Sequence, residues 1–224
     1  MPSHHELLIS LFNYLGVFAF GISGAVAALR RRVDLFGAVV LGFVAACSGG
    51  IIRDILIGAL PPENIRSWVP LAVSSASALF TLAFYKTITR RLQNPVQIFD
   101  ALGLGLFAVL GAEKALVYGI GEVWAVILGA VTSIGGGMMR DILLARVPTV
   151  LRAEIYATAA LAGAAIFVAG KTLALWPDAY GVVIGAGSCT LIRLLALYRK
   201  WQLPLAGGHE RLTGRRDPAA GDED

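Results

Sequence analysis

Charged residues are scarce in this chain of 224 residues. They make up 15% of the sequence, against about 25% in an ordinary soluble domain. Hydrophobic residues are correspondingly abundant, at 57%, where soluble domains hold about 45–50%. A single soluble core cannot take in so many apolar side chains. The composition therefore excludes an ordinary soluble enzyme or binding domain and favours a protein that lies in a membrane.

Metal-ligating and nucleophilic residues are also few, with two cysteines and three histidines in the whole chain. Cys47 and Cys189 both fall inside apolar runs and form no CxxC pair, so we interpret them as small packing residues. The chain has no nucleotide-binding loop, HExxH motif or nucleophile elbow. We therefore predict no enzymatic activity, no cofactor and no resident metal.

Long apolar runs are what the chain has instead. A helix of about 20 apolar residues spans a hydrocarbon layer of roughly 30 Å. Because the connections between the runs are short, the sequence predicts an all-α membrane protein with seven transmembrane helices in one domain of residues 1–201. The seven runs lie at about residues 7–29, 35–60, 69–87, 96–118, 123–145, 155–175 and 179–197.

Positive charge gathers at alternate ends of these runs and indicates their orientation. By the positive-inside rule, the N-terminus lies outside and the C-terminus lies in the cytoplasm. We interpret the net charge of +4 as this topology pattern, and it gives no reason to expect nucleic-acid binding. Residues 202–224 are polar and rich in Gly and Pro, so we predict a disordered cytoplasmic tail. The basic residues after spans one, three, five and seven are Arg30, Arg31, Arg32, Lys86, Arg90, Arg91, Arg146, Arg152, Arg199 and Lys200.

The pattern GG-x-x-RD occurs twice, 87 residues apart. Residues 16–62 align without a gap to residues 103–149, and 18 of the 47 positions are identical. This match indicates duplication of a three-span unit, at about residues 7–89 and 94–175, with the seventh span at about 179–198 left over. An odd number of spans inverts the second copy. We therefore predict two inverted three-helix repeats related by a pseudo-two-fold axis in the membrane plane.

Glycines and hydroxyl residues cluster at the same place in both copies, inside spans two and five. Helices broken at corresponding positions of inverted repeats mark transport paths, and each glycine costs about 0.8–1 kcal/mol in a helix relative to alanine. We expect both helices to open here and free the carbonyls of residues 45–47 and 132–134, which suits a cation. The alternative is that the glycines only allow close helix packing. The residues are Ser48, Gly49, Gly50, Thr132, Ser133, Gly135, Gly136 and Gly137.

Ionisable residues inside the spans are the second candidate feature, because an intramembrane charge is by default a functional-site hypothesis. Snorkelling to the interface is the alternative. Adjacent helical residues point about 100° apart, so we expect each motif arginine to pair with another span and not with the aspartate beside it. Depth matching suggests Asp100 for Arg140 and Glu113 for Arg53. The full set is Arg53, Asp54, Asp100, Glu113, Lys114, Arg140 and Asp141.

At these residues, over about residues 7–198, the chain resembles the prokaryotic branch of the trimeric intracellular cation (TRIC) channel family, whose repeat is also labelled a glycine transporter. The resemblance rests on the order of four segments: DLFGAVVLGFVAACSGGIIRDIL, FDALGLGLFAVLGAEKAL, IGGGMMRDILLARVP and EIYATAAL. It implies a homotrimer with a pore in each subunit, lined by kinked spans two and five and passing monovalent cations such as potassium.

The resemblance also implies roles for single residues. The glycines of the two motifs become hinges, the two Arg-Asp pairs flank the pore, and Lys114 becomes the family's lysine of span four. Ser48 stands where the family's first motif often has glycine, which indicates a difference in hinge flexibility or pore polarity at that end.

The predicted function is passive conduction of monovalent cations, with potassium as the expected ion, in a bacterial inner membrane. The predicted partners are the lipid bilayer, the other copies of a homotrimer and the permeant cations. The first alternative is a secondary transporter of a small zwitterion such as glycine, because broken helices at mid-depth serve amino-acid carriers equally well. The second alternative is a membrane scaffold without transport, in which the glycines serve packing alone.

Overall fold

The computed structural model describes residues 4–152 and 154–199, and the predicted tail of residues 202–224 lies outside this part of the chain. Seven of its helices are long and apolar enough to cross a membrane, which confirms the predicted fold class. Spans one to seven correspond to α1, α2, α4, α5, α6, α7 and α8. In chain order the elements are α1 (His4–Arg30), α2 (Leu35–Leu56), α3 (Glu63–Arg66), α4 (Val69–Arg91), α5 (Pro95–Val117), α6 (Glu122–Leu143), the 3-10 turn η1 (Thr149–Leu151), α7 (Glu154–Thr172) and α8 (Asp178–Arg199).

The two copies of the duplicated unit pack internally in the same way. In the first copy α1 packs against α2 and α4, and in the second α5 packs against α6 and α7. A Cβ added to Gly24 of α1 would lie 2.9 Å from the Cα of Gly42 in α2. The equivalent pair, Gly111 of α5 and Gly129 of α6, shows the same distance of 2.9 Å. Small residues at these equivalent positions therefore let the helix backbones approach closely in both copies.

Equivalent residues of the two copies also meet between the copies. The rings of Phe20 in α1 and Phe107 in α5 stack with centroids 5.5 Å apart. Helices α2 and α6 cross close to Gly49 and Gly136, which are again equivalent positions. The pseudo-two-fold axis therefore passes through both contacts. Helix α8 completes the bundle by packing against α5 and α7.

The Arg-Asp pair of each motif lies in the last turn of its helix. The helix α2 ends as the Ile57 amide donates to the Arg53 carbonyl at 3.0 Å, and α6 ends as the Leu144 amide donates to the Arg140 carbonyl at 3.2 Å. A left-handed residue follows in each case, Gly58 with φ of 72° and its equivalent Ala145 with φ of 51°. Such turns suit glycine and strain alanine. Both Arg-Asp pairs therefore lie directly before a tight turn at the end of their helix.

Candidate functional site

Helices α2 and α6 continue through their glycines without a break. Each is a single helix, Leu35–Leu56 and Glu122–Leu143, and no open turn interrupts either motif. The expectation that these helices open at Gly49-Gly50 and at Gly135–Gly137 is wrong for this structure. The carbonyls of residues 45–47 and 132–134 remain part of continuous helices, so they do not form the predicted ring of free carbonyls.

The first glycine of each GG pair instead allows the crossing of α2 over α6. A Cβ on Gly49 would overlap the carbonyl oxygen of Thr132, and a Cβ on Gly136 would overlap the carbonyl oxygen of Ala45. A Cβ on Gly135 would lie 2.9 Å from the Cα of Gly49. These obstacles are backbone atoms, which cannot rotate away as a side chain can. The alternative of close packing therefore explains Gly49, Gly135 and Gly136.

The second glycine of each pair faces a cluster of polar groups. A Cβ on Gly50 would lie 2.8 Å from the Asn64 side-chain nitrogen. A Cβ on Gly137 would lie 2.8 Å from the Tyr156 hydroxyl and 3.0 Å from an Asp100 carboxylate oxygen. The motif arginine follows three residues later and therefore shares this face of the helix. The spacing GG-x-x-RD thus combines a helix crossing with room for a charged cluster.

The inner cluster is centred on Arg140, whose side chain is only 2% exposed. Its Nη1 donates to an Asp100 carboxylate oxygen at 2.6 Å and to the Ser23 hydroxyl at 2.7 Å. Its Nε donates to an Asp141 carboxylate oxygen at 2.9 Å. One buried guanidinium therefore joins α1, α5 and α6. The predicted pair of Arg140 with Asp100 is confirmed.

Each motif arginine also bonds to the aspartate beside it, contrary to our expectation. The Nε atoms of Arg53 and Arg140 donate to the neighbouring aspartates at 2.9 Å. The Cβ atoms of adjacent helical residues point about 100° apart. The arginine side chain is long enough to bend back and reach the aspartate next to it in the sequence. The second oxygen of each aspartate accepts the first backbone amide of the next short helical element, that of Glu63 in α3 at 3.0 Å for Asp54 and that of Thr149 in η1 at 2.9 Å for Asp141.

The outer cluster contains Arg53 and Lys114 together with two carboxylates. Lys114 Nζ lies 3.0 Å from a carboxylate oxygen of Asp54 and 2.8 Å from one of Glu63. The ion pairs of Lys114 therefore connect α5 to the end of α2 and to α3. The two cations and two anions of this cluster balance in formal charge.

The predicted pair of Glu113 with Arg53 is wrong. Glu113 instead accepts hydrogen bonds from Lys171 Nζ of α7, at 2.8 Å and 2.7 Å. Glu113 and Lys114 are adjacent on α5, so their side chains point about 100° apart and reach different helices. Depth matching could not assign the face of α5 on which Glu113 lies.

Hydroxyl groups of the two motifs bond to their own helices. Ser48 donates to the Val44 carbonyl at 2.7 Å, Thr132 to the Leu128 carbonyl at 2.6 Å and Ser133 to the Ala130 carbonyl at 2.9 Å. Their donors are thereby used, whereas their oxygens keep lone pairs for other contacts. Only Thr132 of the three lines the central cavity described next.

Three cavities lie beside the charged clusters of the two motifs. The inner vestibule holds about 700 Å³ and ends at Asp100 and Arg140. The outer vestibule holds about 380 Å³ and reaches Lys114 and Glu63. The third cavity, the central chamber of about 20 Å³, extends from Thr132 in α6 to Arg53 and Glu63 of the outer cluster. The full lining of the central chamber is Asn13, Ala46, Gly50, Arg53, Glu63, Asn64, Phe107 and Thr132.

Two polar residues that line the central chamber, Asn13 and Asn64, were not identified from the sequence, although the repeat alignment could have indicated Asn13. Asn13 aligns with Asp100 when the offset of 87 residues is extended just beyond the aligned stretch. Asn13 lines the central chamber together with Arg53, and Asp100 forms the ion pair with Arg140. Asn64 of α3 donates to the Cys47 carbonyl at 3.0 Å, and no pattern in the sequence indicates this contact.

Behind the inner cluster lies a second buried arginine, Arg193 of α8, which is 4% exposed. Its guanidinium lies 4.9 Å from the ring centre of Tyr156 and donates to the Ile155 carbonyl at 3.4 Å. The Tyr156 hydroxyl and an Asp100 carboxylate oxygen both lie next to Gly137. A chain of contacts therefore leads from α8 to Arg140. In the sequence, this site is indicated only by the single arginine within the apolar run of span seven.

Comparison with known proteins identifies relatives over most of the chain. A family profile described as Glycine transporter matches twice, over residues 10–86 and 97–172. The UPF0126 membrane protein of Deinococcus radiodurans is 39% identical over 191 residues, which cover 84% of this chain and 84% of that protein. The UPF0126 inner membrane protein YadS of Escherichia coli (strain K12) is 33% identical over 199 residues, covering 89% and 95%.

Solved structures with the same fold are TRIC channels. A TRIC channel orthologue from Rhodobacter sphaeroides is 36% identical with a TM-score of 0.81, over 86% of this chain and 98% of that chain. A prokaryotic TRIC channel solved in 0.5 M KCl is 35% identical with a TM-score of 0.81, over 88% and 99%.

Fold and site together define a multi-pass membrane protein with two inverted repeats whose second helices cross at paired glycines. The repeated family match agrees with this architecture. The chain belongs to the prokaryotic TRIC channel family, which includes the UPF0126 membrane proteins.

Proposed function

We propose that the chain conducts monovalent cations, with potassium as the expected ion, along a path within each subunit. The observation that carries this proposal is the polar central chamber between α1, α2, α5 and α6, which shares Glu63 with the outer vestibule. The Rhodobacter sphaeroides relative is named a trimeric intracellular cation channel, and a further solved relative, 38% identical, is described by conductance through TRIC cation channels. The path is closed in this structure, because the central chamber holds about one water-sized sphere.

Oxygen atoms in the central chamber favour cations. The Thr132 hydroxyl donates its proton to its own helix, so its lone pairs remain for an ion. Asn13, Asn64 and Glu63, whose side chains each carry oxygen, also line the chamber. Arg53 also lies there, but Asp54 neutralises it. Several weak oxygen sites in line are what rapid conduction requires.

The transporter alternative rests on the description of the family profile as Glycine transporter. Carriers of this kind hold their substrate at discontinuous helices near mid-depth. Helices α2 and α6 are continuous, and the central chamber is smaller than an amino acid. The scaffold alternative accounts for the packing glycines but gives no reason for a polar chamber among the membrane-spanning helices. Conduction therefore accounts for more of the structure.

The proposed assembly is a homotrimer in the inner membrane of a bacterium, with the N-terminus outside and the C-terminus in the cytoplasm. The name of the Rhodobacter sphaeroides structure describes a trimeric channel, and the name of the Escherichia coli relative describes an inner membrane protein. The basic residues at the ends of α1, α4, α6 and α8 support the orientation.

Labelling of single cysteines tests the orientation. Arg31→Cys is expected to react with a membrane-impermeant thiol reagent from the cytoplasm, and Gly121→Cys from outside. The physical reason is that an odd number of spans separates the two loops. The native cysteines are both buried, so they give a low background. Labelling of both positions from one side would contradict the proposed orientation.

Thr132→Val tests the role of the central chamber. Valine keeps the shape of threonine but removes the oxygen, so we expect potassium flux into proteoliposomes to fall about tenfold, as the loss of roughly 1.4 kcal/mol of ion stabilisation would cause. Thr132→Ser keeps the hydroxyl and should retain most of the flux. Equal flux in the valine and serine variants would show that this hydroxyl does not contact the ion.

A further inference from the structure

The short helix α3 contributes residues to two neighbouring cavities. Asn64 lines the central chamber, Arg66 lines the outer vestibule, and Glu63 lines both. The chamber holds about 20 Å³ and the outer vestibule about 380 Å³. One turn of helix is therefore the wall that the two cavities share, and it closes the small chamber toward the large vestibule.

The side chain of Asn64 occupies the space that Gly50 leaves free on α2. Its Nδ2 donates to the Cys47 carbonyl at 3.0 Å, and a Cβ on Gly50 would lie 2.8 Å from the same nitrogen. A carbonyl oxygen has two lone pairs, so that of Cys47 can accept this bond while it remains part of the continuous helix α2. The second glycine of the first motif thus makes room for a side chain that comes from outside the spans.

Polar contacts hold α3 in this position. None of its four residues is buried. Besides the bond of Asn64, the Glu63 amide donates to Asp54 at 3.0 Å, and the Glu63 carboxylate lies 2.8 Å from Lys114 Nζ. An element with few buried apolar contacts opens at a low cost in free energy. Helix α3 can therefore leave the chamber wall while the seven spans stay packed.

The second repeat has an apolar residue at the place that corresponds to Asn64. Pro62 precedes α3, and Pro148 precedes η1 in the same way. Counted from these prolines, Asn64 corresponds to Val150, which packs against the hydrophobic core and does not line the inner vestibule. That vestibule accordingly extends to the buried Arg140. The repeats therefore differ in what closes them, and the polar insertion belongs to the outer side.

We propose that α3 is the outer gate of the path and that Asn64 is the residue that closes it. When the bond from Asn64 to the Cys47 carbonyl breaks, α3 moves away from Gly50 and the central chamber opens into the outer vestibule. Loss of one hydrogen bond shifts such an equilibrium by up to about tenfold. The position of the gate follows from the contacts of α3, and only its effect on ion flux rests on the proposed function.

Thiol modification tests the gate without any measurement of conduction. The probe is a small cationic methanethiosulfonate reagent, added to purified protein in detergent. Its target is Thr132→Cys in a chain that also carries Cys47→Ala and Cys189→Ala, which keeps the backbone carbonyl of residue 47. With Asn64 in place the reaction should be slow, because the chamber holds about one water-sized sphere. Asn64→Ala should raise the rate about tenfold.

Two further variants separate a gate from a general loosening of the protein. Asn64→Asp keeps the size of the side chain but cannot donate to the Cys47 carbonyl, so it should raise the modification rate as Asn64→Ala does. Arg66→Ala is the matched control on the same helix, because Arg66 does not line the chamber, and it should leave the rate unchanged. A rate that neither Asn64 substitution raises, or that Arg66→Ala raises equally, would overturn the proposal.

Potassium flux into proteoliposomes separates failure of the gate from failure of the proposed function. Asn64→Ala should conduct several-fold faster than the unchanged chain, whereas Arg66→Ala should match the unchanged chain. If none of the three proteins conducts, the proposed function fails, while the thiol modification still decides where the chamber opens. Flux that is present and equal in all three would place the constriction elsewhere and overturn the gate.

Discussion

Alanine at position 136 is expected to destabilise the folded protein by about 1–3 kcal/mol, since overpacking at a close contact has a cost of this size. The added Cβ would overlap the carbonyl oxygen of Ala45, which belongs to the backbone of α2. The two helices can relieve the overlap only by moving apart at the middle of the bundle. Thermal unfolding of the purified variant in detergent measures the effect as a lower Tm.

Gly187→Ala is the matched control, because Gly187 lies inside α8 with no heavy atom within 4 Å of the added Cβ. Alanine there should leave Tm unchanged or raise it, as alanine is the better helix former by about 0.8–1 kcal/mol. The hinge interpretation predicts the opposite pattern, in which Gly136→Ala keeps a stable, assembled protein and reduces only the flux. Equal stability of the two alanine variants would contradict the packing role of Gly136.

Removal of the Arg140 charge is expected to destabilise the protein by about 3–5 kcal/mol, the usual effect of breaking a buried ion pair on one side. Arg140→Gln leaves the carboxylates of Asp100 and Asp141 without their shared guanidinium. Arg53→Gln is the matched control at the equivalent position of the other repeat. Its cost should be smaller, because Asp54 keeps its ion pair with Lys114.

A double-mutant cycle measures the coupling between Arg140 and Asp100 directly. Asp100→Asn alone leaves Arg140 paired with Asp141, and the combined variant removes one charge of each sign. We therefore expect the loss of stability in the double variant to be smaller than the sum of the single losses. The measurement is the unfolding free energy of all four proteins in the same detergent. Simple additivity would show that the two side chains are not energetically coupled.

The architecture could be predicted from the sequence because each membrane-spanning segment must satisfy requirements of length and backbone hydrogen bonding on its own. A span must reach across the hydrocarbon layer with its backbone bonds satisfied, so seven long apolar runs predict seven helices. The aligned motifs indicate a duplication, and the odd number of spans inverts one copy. The pair of Arg140 with Asp100 was accessible in the same way, because both lie at the same depth in a medium that penalises unpaired charge.

The local geometry of the site could not be predicted, because it depends on neighbours that one segment does not reveal. Glycine weakens an isolated helix, but at Gly49 and Gly136 the facing helix backbone determines the outcome and both helices stay continuous. The partners of Glu113 and Lys114 depend on the rotation of α5, which span depth does not fix. The reach of an arginine side chain likewise permits a bond to Asp54 that the Cβ directions alone would exclude.

Recording of single-channel currents from purified protein in a planar bilayer tests the proposed conduction most directly. A pore with several weak oxygen sites passes ions without one rearrangement of the protein for each ion. Under a potassium chloride gradient, the account predicts discrete unitary currents that reverse near the potassium equilibrium potential and persist when chloride is replaced by a large organic anion. Silent bilayers, together with saturable accumulation of labelled glycine by proteoliposomes against a gradient, would contradict conduction and favour a carrier.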